Sequence, residues 1–301
     1  MKLADLHCDT PFELFNKKLH IAENDLHISL EKADFLEKYV QVAAIWSCFE
    51  KDNNACYNDF FEIINYFKAQ AGDMVCYNSS QLITSGKNAF VLAVEDARLL
   101  NGDIKRLYRL KDVGVKLMTL TWKDTSCIGG AWNTDMGLTD FGRECVSKML
   151  KIGIIPDVSH GSVQLLQDVY KLSRKVGKPF CATHSNSFSI CGHRRNLTDD
   201  NARLIAECGG IVGISLCSAH LSDDTATIDH ILKHIDHYIS HIGEDAVAFG
   251  CDFDGVSTLP CGINDITSIK HIFSACSRKY GERLCEKIFF NNVYNFLLNN
   301  I

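Results

Sequence analysis

Short runs of apolar, often β-branched residues alternate along this chain with longer stretches whose apolar positions recur at helical spacing. That alternation is expected of repeated βα units around a parallel sheet. Eight strand-like runs are read: one from Leu3 to the His7–Asp9 region, then residues 41–47, 89–94, 115–121, 154–158, 180–183, 210–216 and 246–250. Several of the helices between them are expected to end in a left-handed cap at a glycine, namely Gly114, Gly153 and Gly243. Eight such units in 301 residues predict a (β/α)8 TIM-type barrel, with its active site at the C-terminal ends of the strands. A doubly wound open sheet is the alternative, but the glycine-rich phosphate loop it normally carries after its first strand is absent. Only four prolines occur, and no linker or low-complexity stretch interrupts the pattern. One catalytic domain over residues 1–301 is therefore expected.

In such a barrel, polar residues at the strand ends face one mouth. The first run, Leu3-Ala4-Asp5-Leu6-His7-Cys8-Asp9, ends in an imidazole and a carboxylate that a strand's two-residue period would place on one face, where they could chelate a divalent cation. Pro11 blocks continuation of the strand. The third run ends in Glu95, the fifth in His160, the sixth in His184 and the eighth in Asp252. Singly, each has an ordinary role available: Glu95 could pair with Arg98, His160 could cap a helix, and Asp252 could be a turn residue before Gly255. Together they form a chemically sensible metal site. Five ligands exceed what one tetrahedral zinc with an open position can use, but they suit two metals sharing a carboxylate. His7, Asp9 and Glu95 would hold one, and Glu95, His160 and His184 the other. With two carboxylates and a hydroxide, two Zn2+ ions remain a cationic centre, suited to an anionic tetrahedral intermediate. His230, His234, His237 and His241 include two helical i, i+4 pairs. They precede the last strand, lack the neighbouring carboxylate of a metalloprotease, and are read as a solvated helix face.

Composition narrows the function classes. The net charge of -6 comes with no basic tract, which argues against nucleic acid and against an anionic membrane surface. No apolar run approaches the roughly 18 residues needed to span a bilayer, and the first residues do not read as a secretory signal, so a cytoplasmic protein is expected. The 14 cysteines contain no Cys-x-x-Cys. Those in apolar runs, such as Cys48, Cys145, Cys181 and Cys217, are read as reduced core thiols.

The blocks Asp5-Leu6-His7-Cys8-Asp9, Val94-Glu95, Leu117-Met118-Thr119-Leu120-Thr121, Gly137-Leu138-Thr139-Asp140-Phe141-Gly142, Asp157-Val158-Ser159-His160, Thr183-His184-Ser185, Arg194-Arg195-Asn196 and Gly250-Cys251-Asp252-Phe253-Asp254-Gly255 follow one another in this order. Together they resemble the membrane dipeptidase (renal dipeptidase) family of dizinc metallopeptidases, within the amidohydrolase-like barrels. The resemblance implies hydrolysis of dipeptides by a hydroxide bridging two Zn2+ ions, with a D-residue tolerated at the C-terminal side in many members. It implies the same five ligands with Glu95 as the bridge, Asp252 as general acid/base, Arg195 holding the substrate carboxylate, and a homodimer. One departure stands out: many members carry a substrate-contacting histidine where this chain has Trp122. An indole N–H donates one hydrogen bond but cannot become cationic, so Trp122 itself or His193 is expected to take over that contact. The alternative is a dizinc hydrolase of another small amide or lactone. A barrel that has lost catalysis is disfavoured, because all five ligand positions are filled.

Overall fold

The computed structural model describes residues 1–301. Seven parallel strands are present: β1 (Lys2–Cys8), β2 (Lys38–Trp46), β3 (Asn88–Glu95), β4 (Leu117–Thr119), β5 (Ile155–Asp157), β6 (Val212–Ile214) and β7 (Val247–Phe249). Their order is β5-β4-β3-β2-β1-β7-β6. The expected strand at 180–183 is reduced to two bridges, Cys181 with Asp157 on one side and Ala182 with Val212 on the other. Main-chain bonds from Val158 N to Cys181 O (2.8 Å) and from Gly213 N to Ala182 O (2.8 Å) stitch this segment to both edges of the sheet. The ring closes there, so the barrel forms with one stave cut short. The cause is local: the Thr183 amide donates to the Asp157 side chain at 2.9 Å instead of to a neighbouring carbonyl, and the ladder stops.

Two buried layers follow from the alternation of strand side chains. Ala4 and Leu6 of β1, Val40, Val42 and Ala44 of β2, and Ala89, Val91 and Ala93 of β3 pack in one cluster, with Phe290, Val293, Phe296 and Leu297 from the C-terminal segment. The Lys2 ammonium, at the start of β1, lies 5.7 Å from the Phe290 ring centroid. The C-terminal segment therefore plugs the end of the barrel where β1 begins, leaving the opposite end as the mouth. Leu3, Tyr39, Phe90 and Leu92 point the other way into the larger cluster beneath the helices, where each fully buried large apolar side chain stabilises by roughly 1.5–3 kcal/mol.

The β2–β3 pair stays in register from Tyr39 opposite Asn88 to Trp46 opposite Glu95, which sets Glu95 at the mouth. In β1 the register shifts between Asp5 and Cys8. This irregularity turns the segment bearing His7. Gly153 is the expected left-handed cap. Gly243 instead ends its helix at φ 81, ψ 160, and Gly114 lies one residue beyond the cap Val113. All cysteines are free, and no helix is long and apolar enough to cross a membrane.

Candidate metal centre

His7, near the end of β1, lies with its Nε2 3.5 Å from Asp9 Oδ2, 3.7 Å from Glu95 Oε1 and 3.9 Å from Asp252 Oδ1. The same Glu95 oxygen is 3.1 Å from His160 Nε2 and 3.4 Å from His184 Nε2. Those two imidazole nitrogens are 2.9 Å apart. The trios His7–Asp9–Glu95 and Glu95–His160–His184 each bring one ligand atom per residue within 4.8 Å of the others, and His7, His184 and Asp252 form an overlapping third. Asp9 reaches the site differently from the expectation. It lies beyond the strand, at the N-cap of the helix Thr10–Lys17, and Pro11 opens that helix. Arg98 does not claim Glu95; its guanidinium donates to the carbonyls of Phe49 (3.2 Å) and Cys48 (3.3 Å).

The donor set fits two divalent cations. His7 Nε2 and Asp9 Oδ1 are buried without a hydrogen-bond partner, a condition that costs about 1–3 kcal/mol per group unless something else satisfies it. The Thr183 hydroxyl fixes the histidines. It donates to Asp157 Oδ2 at 2.6 Å and stands 2.8 Å from His184 Nδ1 and 3.5 Å from His7 Nδ1. With the hydroxyl proton committed to Asp157, its lone pairs accept from the Nδ1–H groups. This assigns the tautomer that leaves both Nε2 lone pairs free for metal. Asp157 Oδ2 also accepts from Thr119 (2.5 Å), and its Oδ1 accepts the amides of Ser159 and Thr183 (2.9 Å each). Neither Asp157 nor Thr183 received a role from the sequence. The available signal was a polar residue closely preceding a ligand at an otherwise apolar strand end.

Two of these residues adopt costly backbone. His160 and Asp252 both have φ 63, a left-handed conformation that costs a residue with a Cβ roughly 1–2 kcal/mol and is found where side-chain direction matters more than stability. Gly255 allows the carboxylates to close in: a methyl group on it would overlap Asp9 Oδ2 and Asp252 Oδ1. Charge is concentrated accordingly. Burial works to lower the His7 pKa, but Glu95, Asp9 and Asp252 outweigh it and raise it to about 10. Burial pushes Glu95 well up, with Asp9 adding and His7 opposing. Asp252 is raised to about 7 by burial, against the pull of His7. His160 and His184 are held well below the usual imidazole value, first by burial and then by nearby Arg195 and His7. A neutral imidazole is the form that ligates metal, so His160 and His184 are ready as they stand and His7 would give up its Nε2 proton to an incoming cation.

A cavity of about 290 Å³ opens over these groups, lined among others by Asp9, Glu95, Trp122, Arg195, Asp252 and His220. Arg195 is buried at 4% exposure and donates to Ser185 Oγ and to the His184 carbonyl at 2.9 Å each, while its Nε has no partner. Arg194 is exposed and faces Asp135. Trp122 packs at ring-centroid distances of 5.1 Å from Trp46, 5.7 Å from Phe49 and 6.0 Å from His160, making one aromatic wall. His193 does not line this cavity. It packs at a tilt against Trp132 and His220, and His220, which the sequence did not single out, takes the lining position. Burial, with Arg195 and His193 adding, lowers His220 to about 3. The four-histidine helix also departs from the solvated face expected of it. His234 is fully buried, accepting from Ser187 N and bonding the Leu221 carbonyl at 3.0 Å each. His237 and His241 do meet a carboxylate, that of Asp199.

Comparison with known proteins identifies the family and the fold. The model of the membrane dipeptidase family, peptidase family M19, matches residues 1–298. An uncharacterized dipeptidase of Schizosaccharomyces pombe is 28% identical over 98% of this chain and 76% of its own length. Among solved structures, the fold is shared with dipeptidase AC, a metallopeptidase of family M19, at TM-score 0.91 and 24% identity over 100% and 98% of the two chains. It is shared also with a metallopeptidase from Rhodobacter sphaeroides, solved with a phosphinate mimic of L-Ala-D-Ala, at TM-score 0.89 and 23% identity over 100% and 99%.

Proposed function

Since this chain belongs to the membrane dipeptidase family, peptidase family M19, and is a hydrolase of the dipeptidase type, we propose that it is a dizinc dipeptidase. In this reading residues 1–301 act as one catalytic domain in the cytoplasm, and Glu95 bridges the two metals. The observation that carries it is the single Glu95 oxygen standing 3.1, 3.4 and 3.7 Å from three imidazole nitrogens, with Asp9 completing the His7 trio. His7, Asp9 and Glu95 would hold one ion, and Glu95, His160 and His184 the other. Bound there, the ions would polarise the scissile carbonyl and supply an activated water.

The chain's own groups do the rest. Asp252, with a proton affinity raised to about 7, takes a proton from the attacking water and hands it to the leaving amine, as a general acid/base near neutrality should. Arg195 retains N–H donors after serving His184 and Ser185 and binds the substrate's terminal carboxylate with its planar fork. Trp122, backed by Trp46 and Phe49, walls the cavity with apolar surface and excludes water from the reacting carbonyl. His220, half-buried and uncharged, replaces the missing histidine as a polar contact at the cavity lining. The phosphinate mimic of L-Ala-D-Ala on the Rhodobacter sphaeroides protein supports a D-residue on the C-terminal side as the first substrate to try.

The test is amine release by the zinc-loaded protein from a panel of L,L and L,D dipeptides, with Asp252→Asn as control. Hydrolysis that this variant abolishes supports the reading. A protein that holds two metals and cleaves no dipeptide refutes it in favour of a second reading, another small amide or lactone, which Trp122 at the cavity wall favours.

A further inference from the structure

The helix Ile228–Ile242 places His237 and His241 one turn apart, their rings stacked at 3.9 Å. Against them stands Asp199, the first residue of the helix Asp199–Glu207. Its Oδ1 is 2.6 Å from His237 Nε2 and its Oδ2 is 3.6 Å from His241 Nε2. The three ligand atoms lie within 4.8 Å of one another. From this cluster, well away from the strand ends, we propose a second metal site: Asp199, His237 and His241 bind one divalent transition-metal ion of the zinc class.

Three features argue for a site over a chance ion pair. The donor set, two imidazoles at helical i, i+4 spacing with a carboxylate, is one that zinc accepts. The groups are also oriented by atoms that do not themselves ligate, a backbone carbonyl and a serine hydroxyl. His241 Nδ1 stands 2.8 Å from the His237 carbonyl, and only as an N–H can it bond there, so the Nε2 lone pair faces Asp199. Ser189 Oγ donates to Asp199 Oδ2 at 3.1 Å, steadying the carboxylate. Third, the distances are close to those required. Ligand atoms around a tetrahedral ion at about 2.0–2.1 Å are roughly 3.3 Å apart. The 2.6 Å and 3.6 Å contacts are made by the two different oxygens of Asp199, so the carboxylate already spans both imidazoles and has to draw back from His237 to admit the ion. Side-chain exposures of 14%, 29% and 25% leave an open side for water as the remaining ligand.

The site has a structural consequence. The segment from His184 to Thr198 carries Arg195 and ends at Asp199. The helix Ile228–Ile242 already grips it through His234 and Ser187 N. An ion on Asp199, His237 and His241 is a second clasp between the same two elements.

The test counts zinc. Metal-stripped wild-type protein and the His237→Gln/His241→Gln variant are reconstituted at micromolar free zinc, freed of excess by gel filtration, and assayed for zinc per chain. The variant should hold about one equivalent less than wild type. Asp199→Asn provides the same comparison should the double variant fold poorly. The second readout is melting temperature in a Glu95→Gln background, where the catalytic centre is disabled. Added zinc should still raise it, and should no longer do so once His237 and His241 are also replaced. Equal zinc content in wild type and variant, or the same melting shift with and without the two histidines, would overturn the proposal and leave an imidazole–carboxylate pair.

Discussion

Replacing Asp157 should loosen the barrel at its shortest stave and misaim two metal ligands. Its carboxylate receives four hydrogen bonds, from the amides of Ser159 and Thr183 at 2.9 Å, from Thr119 at 2.5 Å and from Thr183 at 2.6 Å. In Asp157→Ala both buried amides lose their acceptor, at about 1–3 kcal/mol each. The Thr119 hydroxyl loses its partner at a similar cost, whereas Thr183 can turn to His184 Nδ1. Water entering the space recovers part of this, leaving a net loss of about 3–6 kcal/mol. Asp157→Asn keeps Oδ1 for both amides and only sets an NH2 against two hydroxyls that can rotate to accept, so about 1–2 kcal/mol is expected. The assay is urea unfolding of metal-free protein, which separates folding from metal binding, followed by zinc titration of each variant. Zinc affinity should fall in the order wild type, Asn, Ala, because Thr183 then no longer commits its proton and the His184 tautomer is free. An alanine variant within about 1 kcal/mol of wild type would refute the claim that this network closes the ring.

Three further outcomes follow from the site. Glu95→Gln removes the shared ligand and should abolish both tight metal binding at the centre and nearly all turnover; two retained metals, counted by elemental analysis, would reject the bridge. Arg195→Lys replaces a fork with a point charge and should raise KM for dipeptides by roughly 10–100-fold, the equivalent of a charged hydrogen bond, with a smaller change in kcat; an unchanged KM would place the substrate carboxylate elsewhere. His220 has its folded pKa depressed to about 3 from an ordinary 6.5, so the unfolded chain binds the extra proton and stability is lost as pH falls below about 6.5. His220→Gln should thus unfold with a shallower pH dependence between pH 7 and 5, by about 1 kcal/mol after allowance for partial exposure, in metal-free urea titrations. Identical slopes would show that the imidazole is not held neutral.

The barrel and the gathering at its mouth of the five residues expected as ligands were legible in the chain because both rest on local order. The βα alternation is a short-range pattern, and parallel strands all deliver their C-terminal residues to one mouth. His7, Asp9, Glu95, His160, His184 and Asp252 could therefore be grouped without knowing a single distance. Even so, Asp9 arrives through a helix cap and His160 through a left-handed backbone, details that strand periodicity does not carry.

What the fold alone decided are contacts between residues remote in sequence, where no local period links the partners. Asp157 cuts the strand at 180–183 short by taking the Thr183 amide, and through the Thr183 hydroxyl it selects the tautomer of His184. His220, on the short helix Ser218–Leu221 after β6, lines the cavity, and His193 of the Arg195 segment packs against its ring. His234 is buried and His237 meets Asp199 because the segment after His184 folds back over their helix. The hydrophobic pattern set which residues lie at the mouth. Hydrogen bonds made on closing the ring set their aim and protonation, and those depend on neighbours that only the closed barrel brings together.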